Sequence, residues 1–403
     1  MRPIAVLLSG TALAQAVPVL LSPILSRLFL PEAFGAFALA VSVVTIAALL
    51  AGGAYDQGVN LPPERTEAMA LVVAMLLGGA AATVVLAAAG GVEWLIRGRL
   101  EPRMWFVPVA TLLTVAFNAF SAWATREARF PLLVRARLAL GLGGAGATLA
   151  AALAGWRETG LLLGNLTGLV LGCGMFALVI GRADRSLLRR VDRATLFAAL
   201  REHRRCPCYL LPSTLLNTVT NQLPVWFLGR LFGAATLGQY ALMNRVLNVP
   251  IALTSASVGD VFKQRVAAEY RATGQCRQTF LAFGRGLGLA ALAPTLALLV
   301  WGPDLFAWVF GAPWREAGQY ARIFAVLFAF RFAVSPLSYV VIVARKARLD
   351  LGLQFICLLA ALAAWGVGAA TASPVNALST FVALYSVVYL IYLGLSYRLA
   401  SPR

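Results

Sequence analysis

Charge, histidine and paired cysteine are what this chain has least of. Charged residues account for 12% of its 403 residues, about half the share found in soluble domains, which excludes a surface built to sit in water. One histidine, His203, occurs, with no carboxylate–serine or metal-ligand pattern around it, so it gives no sequence basis for a catalytic triad or a metal centre. Five cysteines are scattered along the chain. Cys206-Pro207-Cys208 is too closely spaced for a zinc pair without a second cluster, and all five read as reduced bystanders. No Asp-x-Asp occurs either, and with so few acids and bases a membrane-embedded enzyme has little to work with.

What the chain does have is apolar length. Hydrophobic residues make up 60% of it, and stretches of the roughly 17 to 25 residues that cross a bilayer begin near Ile4, Phe34, Ala68, Met104, Leu138 and Leu161. After a polar interval they resume near Tyr209, Tyr240, Phe280, Tyr320, Leu351 and Val375. The expectation is an all-α integral membrane protein of about twelve transmembrane helices. Ala12-Leu13-Ala14 has the small-residue pattern of a signal cleavage site, but the apolar run continues to Leu25, so the first stretch is read as a retained span.

The formal charge of +18 raises the question of nucleic acid, and the placement of the basic residues answers it. With the amino terminus inside, the termini and the even-numbered loops hold the large majority of the 34 Lys and Arg. That is the positive-inside bias, which puts both termini in the cytoplasm and leaves no need for a nucleic-acid partner. On the outer side no loop exceeds about 20 residues, too short for a further domain. The longest polar interval, rich in Arg and also holding Asp184, Asp192 and Glu202, falls at the midpoint and is read as a topology anchor on anionic lipid. The expected organisation is an N-terminal six-helix bundle at 1–181, a cytoplasmic basic linker at 182–207 and a C-terminal six-helix bundle at 208–403.

One phrase is written twice. Arg27-Leu28-Phe29, followed by Phe34-Gly35 and Phe37, recurs half a chain later as Arg230-Leu231-Phe232, with Leu237-Gly238 and Tyr240 in the same register. Two halves of six helices each, with equivalent helices running the same way, are parallel repeats about an axis along the membrane normal, with a central cavity expected between them. Arg27 and Arg230 end apolar spans and read as interfacial braces, while Gly35 and Gly238 sit one turn into the next helix, where a missing side chain admits a close neighbour. A glycine row at Gly160, Gly164, Gly168 and Gly172 reads as a packing ridge.

Candidate functional residues are polar groups inside apolar spans. Arg245 and Arg331 each lie within a span, where an uncompensated guanidinium costs on the order of 3 kcal/mol. A protein carboxylate, a polar ring with water or an anionic ligand would compensate them, and the planar fork suits phosphate. Ser213, Asn217 and Asn221 form a polar stripe, and Asn244 and Asn248 repeat that spacing beside Arg245. These amides suit either sugar hydroxyls or helix joining. Asp56 and Asp260 lie near matching positions of the two halves, where cation coupling and a solvated helix end are both open readings.

These residues resemble a known family. Leu211-Pro212-Ser213, Asn221-Gln222-Leu223-Pro224, Leu231-Phe232-Gly233, Gly238-x-Tyr240, Asn244-Arg245-Val246-Leu247 with Pro250, and Val261-Phe262 resemble the second half of the bacterial oligosaccharide flippases. Those are the polysaccharide-biosynthesis exporters of the multidrug/oligosaccharidyl-lipid/polysaccharide (MOP) superfamily. Gly10-Thr11-Ala12 with Gln15, Ser22-Pro23-Ile24-Leu25-Ser26-Arg27-Leu28, the stretch from Gly53 to Leu61-Pro62, Trp314-Arg315-Glu316-Ala317 and Arg331-Phe332 with Ser335-Pro336 extend the likeness to nearly the whole chain. The resemblance implies translocation of undecaprenyl-diphosphate-linked oligosaccharide units across the bacterial inner membrane by alternating access, for O-antigen, capsule or exopolysaccharide. It implies no cofactor and no metal, a proton or sodium as coupling cation, and a polysaccharide polymerase and chain-length regulator as partners. One departure stands out: Gly53-Ala54-Tyr55-Asp56 replaces the family's Gly-Arg-Tyr-Glu, so the arginine's role has no carrier at Ala54 and the acid at Asp56 is shorter. A peptidoglycan-precursor flippase and a cation-coupled multidrug exporter are the alternatives; buried arginines count against the latter.

Overall fold

Where a chain offers water so little polar surface, its backbone groups must find partners within the chain, and the helix is the local solution. The computed structural model describes residues 20–99, 101–343 and 346–401, and among the described residues it is helical without strands. The expected span beginning at Ile4 lies largely outside the described residues, as do Gly10, Thr11, Ala12 and Gln15.

The long helices are α1 (Pro31–Gly52), α2 (Arg65–Arg97), α3 (Pro102–Arg126), α4 (Phe130–Leu153), α5 (Gly160–Ala183), α6 (Leu211–Leu231), α7 (Gly233–Thr273), α8 (Arg277–Phe310), α9 (Arg315–Leu337), α10 (Ala347–Thr371) and α11 (Pro374–Ala400). Among the described residues, nine helices are long and apolar enough to cross a membrane, so the chain is a multi-pass, all-α membrane protein. The two long helices outside that criterion, α6 and α7, carry the polar stripes. At 41 residues, α7 extends about 60 Å, beyond the roughly 30 Å of bilayer hydrocarbon, and its far end carries Lys263, Arg265, Glu269 and Arg271. Boundaries follow ordinary chemistry. Pro102 and Pro374 stand in first turns, where their missing N–H costs nothing, and Gly98 and Gly274 close helices with φ of 64° and 71°.

The chain divides into two compact units, one of residues 1–21 and 36–222, the other of 22–35 and 223–403. In the first, α4 and α5 meet along the glycine row: a Cβ on Gly168 would stand 2.4 Å from the Leu140 carbonyl oxygen, and one on Gly164 1.8 Å from Thr148 Oγ1. Only glycine lets the helices lie this close. Trp123, Phe176, Val115 and Ala119 fill the adjoining core. The basic interval is itself folded. It forms helices Arg185–Arg190 and Arg193–Glu202, which pack on α2 and bury Ala199. Asp192 caps the second of these by accepting from the Thr195 backbone N–H at 2.8 Å; the Thr195 hydroxyl first, and then that backbone bond, hold its carboxyl below the usual range.

In the second unit, the two copies of the repeated phrase touch. A Cβ on Gly35 would fall 1.9 Å from the Ala234 carbonyl oxygen, and a Cβ on Gly238 would fall 1.8 Å from the Pro31 carbonyl oxygen. Pro31 and Ala234 hold the same place in the two copies, so each glycine seats against the other copy's helix start. Around this seat, Ser26 Oγ donates to the Phe310 carbonyl at 3.0 Å, Arg27 to the Trp308 carbonyl at 3.1 Å, and Trp314 Nε1 to the Ser26 carbonyl at 2.7 Å. Phe34 meets Trp314 edge-on, with centroids 4.9 Å apart. Arg230 is exposed at the end of α6.

Candidate functional site

In the second unit, α7 and α9 bring Asn244, Asn248 and Arg331 to one small cavity, also lined by Phe324 and Phe328. Asn244 and Asn248 are one helical turn apart, and Asn248 Nδ2 donates to Asn244 Oδ1 at 2.7 Å. That bond fixes the amides and leaves the Asn244 NH2 free to donate outward. Pro250 cannot donate to the Val246 carbonyl, so a backbone acceptor is released on the same stretch of α7. The Arg331 guanidinium is half-buried, and the hydroxyls of Tyr240 and Tyr385 lie within electrostatic reach of it. One turn on, Ser335 and Ser255 pair at 3.3 Å. A cation among amide and hydroxyl groups, inside an apolar helix, is a half-made site for an anion. Arg245 is half-buried and sits about 100° round the helix from Asn244, outside the residues lining this cavity.

In the first unit, a cavity of about 200 Å³ holds Asp56, with Thr45 of α1, Thr114 and Asn118 of α3 and Thr218 of α6 on its wall. Two consecutive left-handed residues, Gly53 (φ 59°) and Ala54 (φ 56°), reverse the chain after α1 and start the short helix Tyr55–Gly58 that carries Asp56. Holding Ala54 there costs roughly 1 to 2 kcal/mol. The Thr45 hydroxyl donates to the Val41 carbonyl at 2.8 Å, which leaves its oxygen lone pairs for an incoming cation. One carboxylate among neutral oxygens is chemistry suited to a proton or a hard cation.

The α6 stripe stands separately. Asn221 Nδ2 donates to the Asn217 side chain at 2.8 Å and to its carbonyl at 2.9 Å. Ser213, Asn217 and Asn221 are all exposed, and exposed amides on a bilayer-length helix need water or protein beside them. Thus the structure joins Asn244, Asn248 and Arg331, pairs Asn217 with Asn221, and sets Asp56 in its own cavity. Asp260 lies on α7, with its side chain outside the described residues. Sequence reasoning missed Thr45, Thr114, Asn118 and Thr218, because scattered hydroxyls in apolar runs carry no pattern. It also missed Tyr240 and Tyr385 within electrostatic reach of Arg331, and the meeting of His203 with Glu67.

A family model for polysaccharide biosynthesis proteins matches residues 24–319. No curated protein sequence matches the chain. Solved structures do match over nearly the whole length. A crystal structure of MATE in complex with MaD3S aligns with TM-score 0.63 at 14% identity, covering 99% of this chain and 96% of that one. A MOP superfamily transporter from Pyrococcus furiosus, whose binding pocket is described as having reverse polarity that suggests a different function, aligns with TM-score 0.56 at 12% identity, covering 99% and 96%. An inward-facing multidrug resistance MATE family transporter of the MOP superfamily gives 0.54 at 13%, covering 99% and 94%. At these identities the likeness establishes the fold.

Proposed function

Because the chain belongs to the polysaccharide biosynthesis protein family and has the fold of MOP superfamily transporters, we propose that it exports lipid-linked oligosaccharide, carrying undecaprenyl-diphosphate-linked repeat units across the cytoplasmic membrane by alternating access. Family and fold are those of transporters, and we read the chain as a carrier without catalytic chemistry. Its setting is the bacterial inner membrane with both termini in the cytoplasm, and its partners are the polymerase and chain-length regulator that act on the exported unit.

The observation that carries this reading is Arg331, a guanidinium within α9 beside the Asn244–Asn248 pair and close to Tyr240 and Tyr385. A diphosphate is the anionic part of such a cargo, and a fork that donates to two phosphate oxygens at once binds it better than a point charge. The asparagine amides on α6 and α7 suit sugar hydroxyls. A cationic site also disfavours cationic drugs as cargo. Asp56 and its ring of hydroxyls are the proposed seat of the coupling cation, proton or sodium; Arg245 and Asp260 remain proposals of the same kind.

The test is genetic and quantitative. Deleting the gene abolishes one surface polysaccharide and leaves the lipid-linked unit unexported. In that strain the Arg331→Glu variant inserts at normal level but restores no polymer, and Arg331→Lys restores part of it. Losing one charge-assisted bidentate contact of about 2 kcal/mol corresponds to roughly a 30-fold loss of affinity. Full polymer from Arg331→Glu at equal protein level would remove this arginine from the cargo path, and normal polymer in the deletion strain would sink the whole proposal.

A further inference from the structure

The chain's one histidine does not stand alone. His203 Nε2 lies 2.9 Å from Glu67 Oε1, and the Glu202 carboxylate joins them, the three ligand atoms all lying within 4.8 Å of one another. Glu67 comes from the first turn of α2, whereas Glu202 and His203 come from the end of the helix Arg193–Glu202. His203 and Glu67 are shielded, with 13% and 17% of their side-chain surface exposed, and Glu202 forms the open edge. Despite Arg201, Arg204 and Arg205 close by in sequence, the Glu202 carboxylate has no ion pair or hydrogen bond among the described residues. Two carboxylates brought this close repel each other unless something positive stands between them. The carboxyl end of the Arg193–Glu202 helix adds the negative pole of its dipole at the same point.

We propose that Glu67, Glu202 and His203 bind one zinc-class divalent cation. One imidazole nitrogen with two carboxylate oxygens is a donor set for Zn2+, Co2+ or Ni2+ rather than for Mg2+ or Ca2+, which take oxygen alone. Metal–ligand bonds of about 2.0 to 2.2 Å in tetrahedral array hold ligand atoms roughly 3.3 Å apart. The His203–Glu67 pair therefore opens by a few tenths of an ångström, and the exposed Glu202 rotates in. Water takes the fourth position. The ion would add a tie between the basic interval and α2, beyond the packing that already buries Ala199 there.

The test uses the full-length protein in detergent micelles, stripped of metal with a chelator and titrated with Co2+. The expected result is one saturable equivalent with the intense visible bands of tetrahedral Co2+, no sulfur-to-cobalt charge transfer, and displacement by Zn2+. His203→Gln and Glu67→Gln each weaken binding by more than about tenfold, while Cys206→Ser/Cys208→Ser binds as the parent does. Both glutamine variants lie at a partly exposed surface, and an unchanged elution profile checks their fold. Absence of saturable binding by the parent protein, equal affinity in both glutamine variants, or loss of binding in the cysteine variant would each overturn the proposal.

Discussion

Asp184 ends α5 with its carboxylate buried and satisfied from three sides. Arg129 donates to both oxygens, at 2.7 and 3.0 Å, Trp123 Nε1 donates at 3.1 Å, and Arg65 reaches it at 3.3 Å. A buried acid is tolerable only with that degree of pairing. Asp184→Ala strands the Trp123 N–H and the largely covered Arg129, and thermal unfolding of the purified protein should show a loss of about 2 kcal/mol or more; an unchanged melting temperature would show the cluster to be idle. None of this was visible in the sequence, where Asp184 was one acid among many arginines, because its three partners are distant in the chain. Arg331 was visible, since a charge inside an apolar run stands out by itself. Tyr240 and Tyr385, which lie within electrostatic reach of it, were not, as they come from two other helices.

At the scale of elements, the glycines separate into those that matter and those that do not. Next to Gly238 stands the Pro31 carbonyl, and next to Gly35 the Ala234 carbonyl; backbone atoms at helix starts cannot rotate away as a side chain would. Gly174, by contrast, has nothing within 4 Å of its would-be Cβ. Gly238→Ala should therefore destabilise the protein by about 1 to 3 kcal/mol or more, whereas Gly174→Ala should be neutral or gain up to about 1 kcal/mol, both read by thermal melts in the same detergent. Comparable melts for the two would refute the close seat. The long helices were legible in the sequence because bilayer thickness dictates their length. The helices of the basic interval were not, being short, arginine-rich and held by contacts with α2 rather than by their own periodicity.

The distribution of charge belongs to the whole molecule. A net +18 concentrated at the termini and alternate loops makes a definite prediction about sidedness. Alkaline phosphatase fused after Ser401, or within the interval near Arg190, should be inactive, while green fluorescent protein at the same points should fluoresce; the opposite pattern at either point would invert that part of the topology. Fold class, the positions of nine spans and the repeat were readable from one chain, because composition and length carry them. Which polar side chains share a cavity was not, because that depends on helix rotation.

The reciprocal seat of Gly35 and Gly238 has a further consequence, one for which changes each copy can accept. A contact in which the same residue of each copy meets the same backbone atom of the other is the contact of a twofold dimer. In such a dimer one inherited change strikes both sides at once. Once the two copies share a chain, each can drift alone, but at this point neither gains from that liberty: the neighbour is backbone on both sides, and no exchange of side chains on one copy can make room for a change on the other. The seat is thus where two otherwise diverging halves are obliged to stay alike, even as Ser42 and Arg245, equivalent positions only two turns further on, have gone separate ways.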